Sequence, residues 1–113
     1  MTFSFSLHTS SGKTLGLAEL SGRIDALNKS ELQTSFDLWL KQTSFLIFDC
    51  SKLDFIDSSG LGALVSCLRK AIEQNGDVKL AHLSSKVSMV FELTKAHKLF
   101  SIFADTESAI QSF

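Results

Sequence analysis

Apolar and polar positions alternate at the start of the chain. Phe3, Phe5 and Leu7 are separated by Ser4, Ser6 and His8, the period of two expected of a half-buried strand. Ser10, Ser11 and Gly12 supply turn residues, and Leu15 and Leu17 open a second strand; together these predict an antiparallel hairpin. After Gly22 the period changes. Leu32, Phe36, Trp39 and Leu40 fall at i, i+4, i+7 and i+8, one face of a helix. Asn28 is placed to cap it with Glu31 three residues on, and Leu27 to staple against Leu32. The continuous run Phe45-Leu46-Ile47-Phe48 predicts a central strand buried on both faces. Leu61, Leu64, Val65, Leu68 and Ile72 mark a second helix, which Asn75-Gly76-Asp77 stops. Val78 to Leu83 reads as a strand. Ser84 or Ser85 can cap a third helix containing Val87, Val90 and Phe91, and a short strand over residues 101–103 precedes a last helix from Asp105. The expected architecture is a single α/β domain over residues 1–113: a mixed sheet whose N-terminal antiparallel hairpin runs into alternating strands and helices.

Composition narrows what such a domain can do. Its 113 residues suffice for one core, and 44% apolar with 20% charged residues is a globular balance. Eleven Lys and Arg against 12 Asp and Glu give a net charge of -1, and the basic residues are scattered, so neither nucleic acid nor an anionic membrane is an expected partner. The longest apolar stretch, Phe45 to Phe48, is far short of a membrane span, and the opening Phe3-Ser4-Phe5-Ser6 has no basic region, so no signal peptide is expected. Cys50 and Cys67 lack CxxC spacing and read as buried small hydrophobes. With His8, His82 and His97 scattered, no metal site is expected. The expectation is a cytoplasmic protein without cofactor.

One segment departs from plain scaffold: Asp54-Phe55-Ile56-Asp57-Ser58-Ser59-Gly60-Leu61-Gly62. It joins the buried strand to the second helix, at the sheet end where function gathers in open α/β folds. Asp57, Ser58 and Ser59 are helix-capping types, and capping alone is the simplest reading of them. Gly60 and Gly62 fall inside the first turns, where each costs about 1 kcal/mol against alanine. Close approach by another molecule would explain both. With the apolar stripe centred on Leu61, Leu68 and Ile72, the face turned outward would be Ser59, Ala63, Ser66 and Lys70, with Gly62 and Cys67 on its flanks. A face this small in side-chain size beside two serines suggests a docking surface. Asp25, ahead of the first helix, should emerge at the same sheet end as Asp57, as part of a shared recognition edge or as a turn-stabilising aspartate.

The run Phe55-Ile56-Asp57-Ser58-Ser59-Gly60-Leu61-Gly62 closely resembles the phosphorylation motif of the STAS domain family, specifically the bacterial anti-sigma factor antagonists. Gly22-Arg23-Ile24-Asp25 is similar to that family's signature before the first helix, Asn75-Gly76-Asp77-Val78 to its turn into the next strand, and Leu99-Phe100 to Ile110 to its closing strand and helix. The resemblance implies a domain without catalytic activity that works by partner switching. Its unphosphorylated form binds an anti-sigma factor that is also a serine kinase, and the sigma factor is released. Phosphorylation of the serine after the motif aspartate, Ser58 here, ends binding, and a serine phosphoprotein phosphatase restores it. Asp25, Asp57, Ser59, Gly60, Gly62, Ala63 and Ser66 are then the expected partner-binding residues. Thr94-Lys95-Ala96-His97 stands where the family commonly has Thr-Gly-Leu-Asp; without a helix-ending glycine, that corner is expected to be shaped differently.

Other members of the family serve stressosomes, lipid-transport complexes or the ends of anion transporters, and those roles are the nearest alternatives. A serine hydrolase is the competing class. The GxSxG elbow is absent, and only a histidine brought near Ser58 by the fold could supply the base.

Overall fold

The computed structural model describes residues 2–113. Strands β1 (Thr2–Ser10) and β2 (Lys13–Ile24) pair antiparallel. They are joined through Ser11 and Gly12, both at positive φ (52° and 77°), the combination whose twist matches that of the flanking strands. There follow α1 (Lys29–Leu40), β3 (Phe45–Ile56), α2 (Ser58–Glu73), β4 (Asp77–Ala81), α3 (Ser85–Leu93), β5 (Ile102–Phe103) and α4 (Thr106–Gln111). A single 3-10 turn over Ala96–Lys98 separates α3 from β5. The sheet runs β1-β2-β3-β4-β5, and every pair after the hairpin is parallel. This is the mixed α/β architecture that the pattern predicts.

Helices α1, α2 and α3 bury one face of the sheet. Leu32 and Phe36, Leu64 and Cys67, and Val87 and Phe91 share a core with Leu20, Phe48 and Leu80. Aromatic contacts tie the hairpin to it: Phe5 stacks on Trp39 at 5.2 Å between centroids, and Phe3 meets Trp39 edge-on at 5.6 Å. Helix α4 covers the opposite face, where Ala109 joins Leu15, Ile47 and Ala81. There Lys79 is buried, donating to the Ser112 carbonyl and hydroxyl at 3.1 and 2.7 Å and lying 3.9 Å from the centre of the Phe113 ring. Its burial lowers the ammonium pKa.

Several boundaries differ from expectation for local reasons. Asn28 precedes α1, but its side chain does not cap the helix. It turns back into the loop, accepting from the Asp25 N–H at 2.9 Å and donating to the Arg23 carbonyl at 2.8 Å. Leu27 is 92% exposed and staples nothing. Strand β4 stops at Ala81, because His82 turns left-handed (φ 60°). Helix α2 ends where expected: the Asn75 N–H donates to the Ile72 carbonyl and that of Gly76 to the Ala71 carbonyl, with Asn75 left-handed (φ 62°), a Schellman cap. At the end of α3, Lys95 itself takes the left-handed conformation (φ 65°, ψ 9°). The chain therefore turns that corner as a glycine would, at a steric cost of about 1 kcal/mol.

Candidate functional site

Ile24 and Ile56, the last residues of β2 and β3, are paired across the parallel ladder, so Asp25 and Asp57 begin neighbouring loops. The alignment depends on irregular register after Glu19 and after Gly22, where Gly22 takes φ 93°, a conformation open to glycine. Asp57 joins the two loops. Its carboxylate accepts from the Gly60 N–H at 2.8 Å, capping α2, and from the Ala26 N–H at 3.4 Å, while its own N–H donates to the Ile24 carbonyl at 3.3 Å. Asp25 is spent within its own turn: it pairs with Arg23 at 2.9 Å and accepts from the Leu27 N–H at 3.0 Å. The Arg23 guanidinium covers the Phe55 ring at 4.7 Å. The two aspartates are thus brought together, Asp57 as cap and loop tie and Asp25 as a turn aspartate.

Ser58 is the first residue of α2 and is exposed. Its hydroxyl has no hydrogen-bond partner among the described residues. The Asp57 side chain engages Gly60 and the Asp57 carbonyl engages Leu61, leaving the Ser58 and Ser59 N–H groups without protein acceptors among the described residues. Ser59 is half-buried.

The face of α2 corrects the sequence reading. Gly60, Ala63, Leu64, Cys67 and Ala71 are buried with Leu61 and Leu68, so the small residues pack inward, where they let the helix approach the sheet closely. Ala63 is 2% exposed and is no part of an outward surface; Ile72, assigned to the buried stripe, is 55% exposed. A Cβ at Gly60 would collide with the Ile24 carbonyl, so that glycine answers to β2 rather than to another molecule. Gly62 is the opposite case: it is exposed, and a Cβ there would meet nothing within 4 Å. Beneath this face burial pushes the Cys67 thiol up to about 12, with the Lys70 charge opposing and Asp37 adding, so the thiol is inert.

Ser58, Gly62 and Ser66 line one wall of a groove of about 630 Å³, with Leu61, Val65 and Arg69. The corner after α3 supplies the other wall through Thr94, Lys95, Ala96 and Leu99. Of the residues expected to bind a partner, Gly62 and Ser66 reach this groove and Ser58 stands at the α2 N-terminal end of it. Asp25, Asp57, Ser59, Gly60 and Ala63 do not line it. Val65, Arg69, Lys95 and Leu99 were not singled out for binding. The small buried residues Gly60, Ala63, Cys67 and Ala71, spaced as one helical stripe, carry the signal for the correct phase. No histidine lines the groove; the His97 ring nitrogen Nδ1 lies 3.2 Å from the Phe91 carbonyl.

Residues 11–109 match the STAS domain family. The anti-sigma-B factor antagonist of Bacillus subtilis is 26% identical over 92 residues, spanning 81% of this chain and 84% of that protein. Among solved structures, an anti-sigma factor antagonist from Mycobacterium paratuberculosis superposes with a TM-score of 0.80 at 19% identity, over 98% of this chain and 93% of that one. The phosphorylated form of the Bacillus cell fate determinant SpoIIAA gives 0.69 at 22% identity, over 96% and 98%. Identity this low between structures speaks to the fold. The match over residues 11–109 reaches further, taking in both loops, α2 and the corner after α3: the chain belongs to the STAS domain family.

Proposed function

We propose that this protein is an anti-sigma factor antagonist that works by partner switching. Its unphosphorylated form binds an anti-sigma factor with serine kinase activity through the outward face of α2, and the sigma factor is freed. Phosphorylation of Ser58 ends the complex, and a serine phosphoprotein phosphatase resets it. The protein itself catalyses nothing. The observation that carries the reading is the placement of Ser58: an exposed, unbonded hydroxyl at the first position of α2, at one end of the groove. A kinase can reach such a hydroxyl without unfolding anything. Gly62 supports the same face. It weakens an exposed helix by about 1 kcal/mol with no contact inside the domain to require it, whereas a closely approaching partner would. The names of the B. subtilis relative and of the phosphorylated SpoIIAA structure point the same way.

Affinity capture on the purified chain, with and without ATP, tests the proposal when followed by peptide mass spectrometry of the bait. The expected outcome is an anti-sigma factor retained without ATP and lost with it, together with phosphate on Ser58. Phosphate on Ser59 alone would overturn the assignment of the acceptor. Failure to retain any anti-sigma factor would overturn the function.

A further inference from the structure

The switch at Ser58 makes no use of the groove's far wall, and that wall holds a strained residue. Lys95 lines the groove at φ 65°, where a side chain is disfavoured and glycine is at ease. The corner around it is fixed from both sides. The Thr94 hydroxyl donates to the Val90 carbonyl at 2.7 Å, Ala96 is buried, and the His97 ring sits 3.2 Å from the Phe91 carbonyl. The backbone there would be served better by glycine. Yet the Lys95 ammonium has neither an ion pair nor a hydrogen bond among the described residues. An unrelieved strain of this kind points to a use for the side chain outside the domain.

Arg69 stands on the opposite wall and is likewise unpaired among the described residues. The groove's lining holds these two cations and no carboxylate, and Leu61 and Val65 on one wall and Leu99 on the other give it apolar surface. We propose that the groove receives an amphipathic acidic segment of the partner protein, an apolar side chain resting on Leu61, Val65 and Leu99 and carboxylates facing Lys95 and Arg69. Lys95 is then a residue that selects the partner, since a neutral or basic segment would leave both cations unmatched or repelled. The inference rests on the reading of α2 as the docking face and adds the chemistry of what docks there. It also gives phosphorylation a second consequence, because a phosphate on Ser58 would place negative charge in the groove that the partner's carboxylates must enter.

The probe is the purified anti-sigma factor identified by the capture experiment, titrated calorimetrically against the full chain at low and high salt. The parent should bind more weakly as salt rises. Lys95→Glu should lower affinity at least about tenfold, and Lys95→Gly should lower it several-fold while raising the melting temperature by a few degrees. Reversing the partner's facing carboxylates to lysine should restore binding to Lys95→Glu. A parent that binds, with Lys95→Glu within about twofold of it and no salt dependence, would overturn the acidic segment and leave the docking face standing. A parent that binds no anti-sigma factor would overturn both. Self-association of the parent that Lys95→Glu abolishes would assign the groove to a second copy of this chain instead.

Discussion

A Cβ added at Gly60 meets the Ile24 carbonyl, whereas one added at Gly62 meets nothing. Gly60→Ala should therefore cost about 2–3 kcal/mol, since α2 must move off β2 to admit the methyl group. Gly62→Ala should raise stability by about 0.5–1 kcal/mol through helix propensity while weakening partner binding. Urea denaturation of the two variants checks the contrast, and equal effects would contradict it. The two thiols set a second expectation. Burial holds both Cys50 and Cys67 up to about 12, against an ordinary 9.0. Above 9.0 the unfolded chain releases thiol protons that the folded chain keeps. This contribution to stability is thus whole below that pH and is lost as pH rises toward 12, by at most about 1.4 kcal/mol per pH unit for each thiol. Lys79, whose pKa is lowered by burial, acts in the opposite sense as pH approaches its ordinary 10.5. Cys67→Ala should flatten the alkaline loss measured by denaturation at rising pH; an unchanged slope would contradict the assignment.

At the scale of elements, α2 has one face against the sheet and another on the groove, and neighbouring residues divide between them. Gly62→Arg should leave the domain folded and abolish binding, because the added side chain enters the groove. Ala63→Arg should cost about 3 kcal/mol or more, because it drives a charge into the core. Thermal melts and binding of the two variants check this: Ala63→Arg folding as stably as the parent would contradict the helix phase. The same helix shows how much was legible in the sequence. Its existence, its start at Asp57-Ser58 and its stop at Asn75-Gly76 are local facts, written in capping residues and periodicity. Its rotation is not local. Large apolar residues suggested a stripe through Ile72, but how closely a helix approaches a sheet decides whether Gly, Ala and Cys are its inner positions. Here the Ile24 carbonyl, remote in sequence, sets that distance. Asn28 failed as a cap for a similar reason, its side chain being drawn back to Asp25 and Arg23. Lys95 was visible as a departure from a family pattern, but its left-handed backbone and its place opposite Arg69 emerge only from the folded corner.

For the molecule as a whole, the proposed switch requires a fold that survives phosphorylation. A phosphate on Ser58 adds about -1.5 to -2 charge at the start of α2, taking the net charge from -1 to roughly -3. There it meets the free N–H groups of Ser58 and Ser59 and the positive end of the helix dipole, opposed by the Asp57 carboxylate next door. These terms are exposed and nearly cancel, so phosphorylation should change domain stability by no more than about 1 kcal/mol. Melting curves and amide spectra of the two forms should agree except near the β3–α2 loop and the groove; widespread changes would mean that the sheet and helices are remodelled.

Within the proposed complex Lys95 and Arg69 already face the partner's carboxylates, so the added charge is left unpaired, and an unpaired charge at a closed interface costs several kcal/mol, each 1.4 kcal/mol being tenfold in affinity. The most direct test of the account is the affinity of the anti-sigma factor for the chain before and after stoichiometric phosphorylation of Ser58, measured side by side on folded protein. Affinity should fall about a hundredfold or more, with the phosphorylated domain still fully folded. Undiminished binding by the Ser58-phosphorylated chain would contradict it.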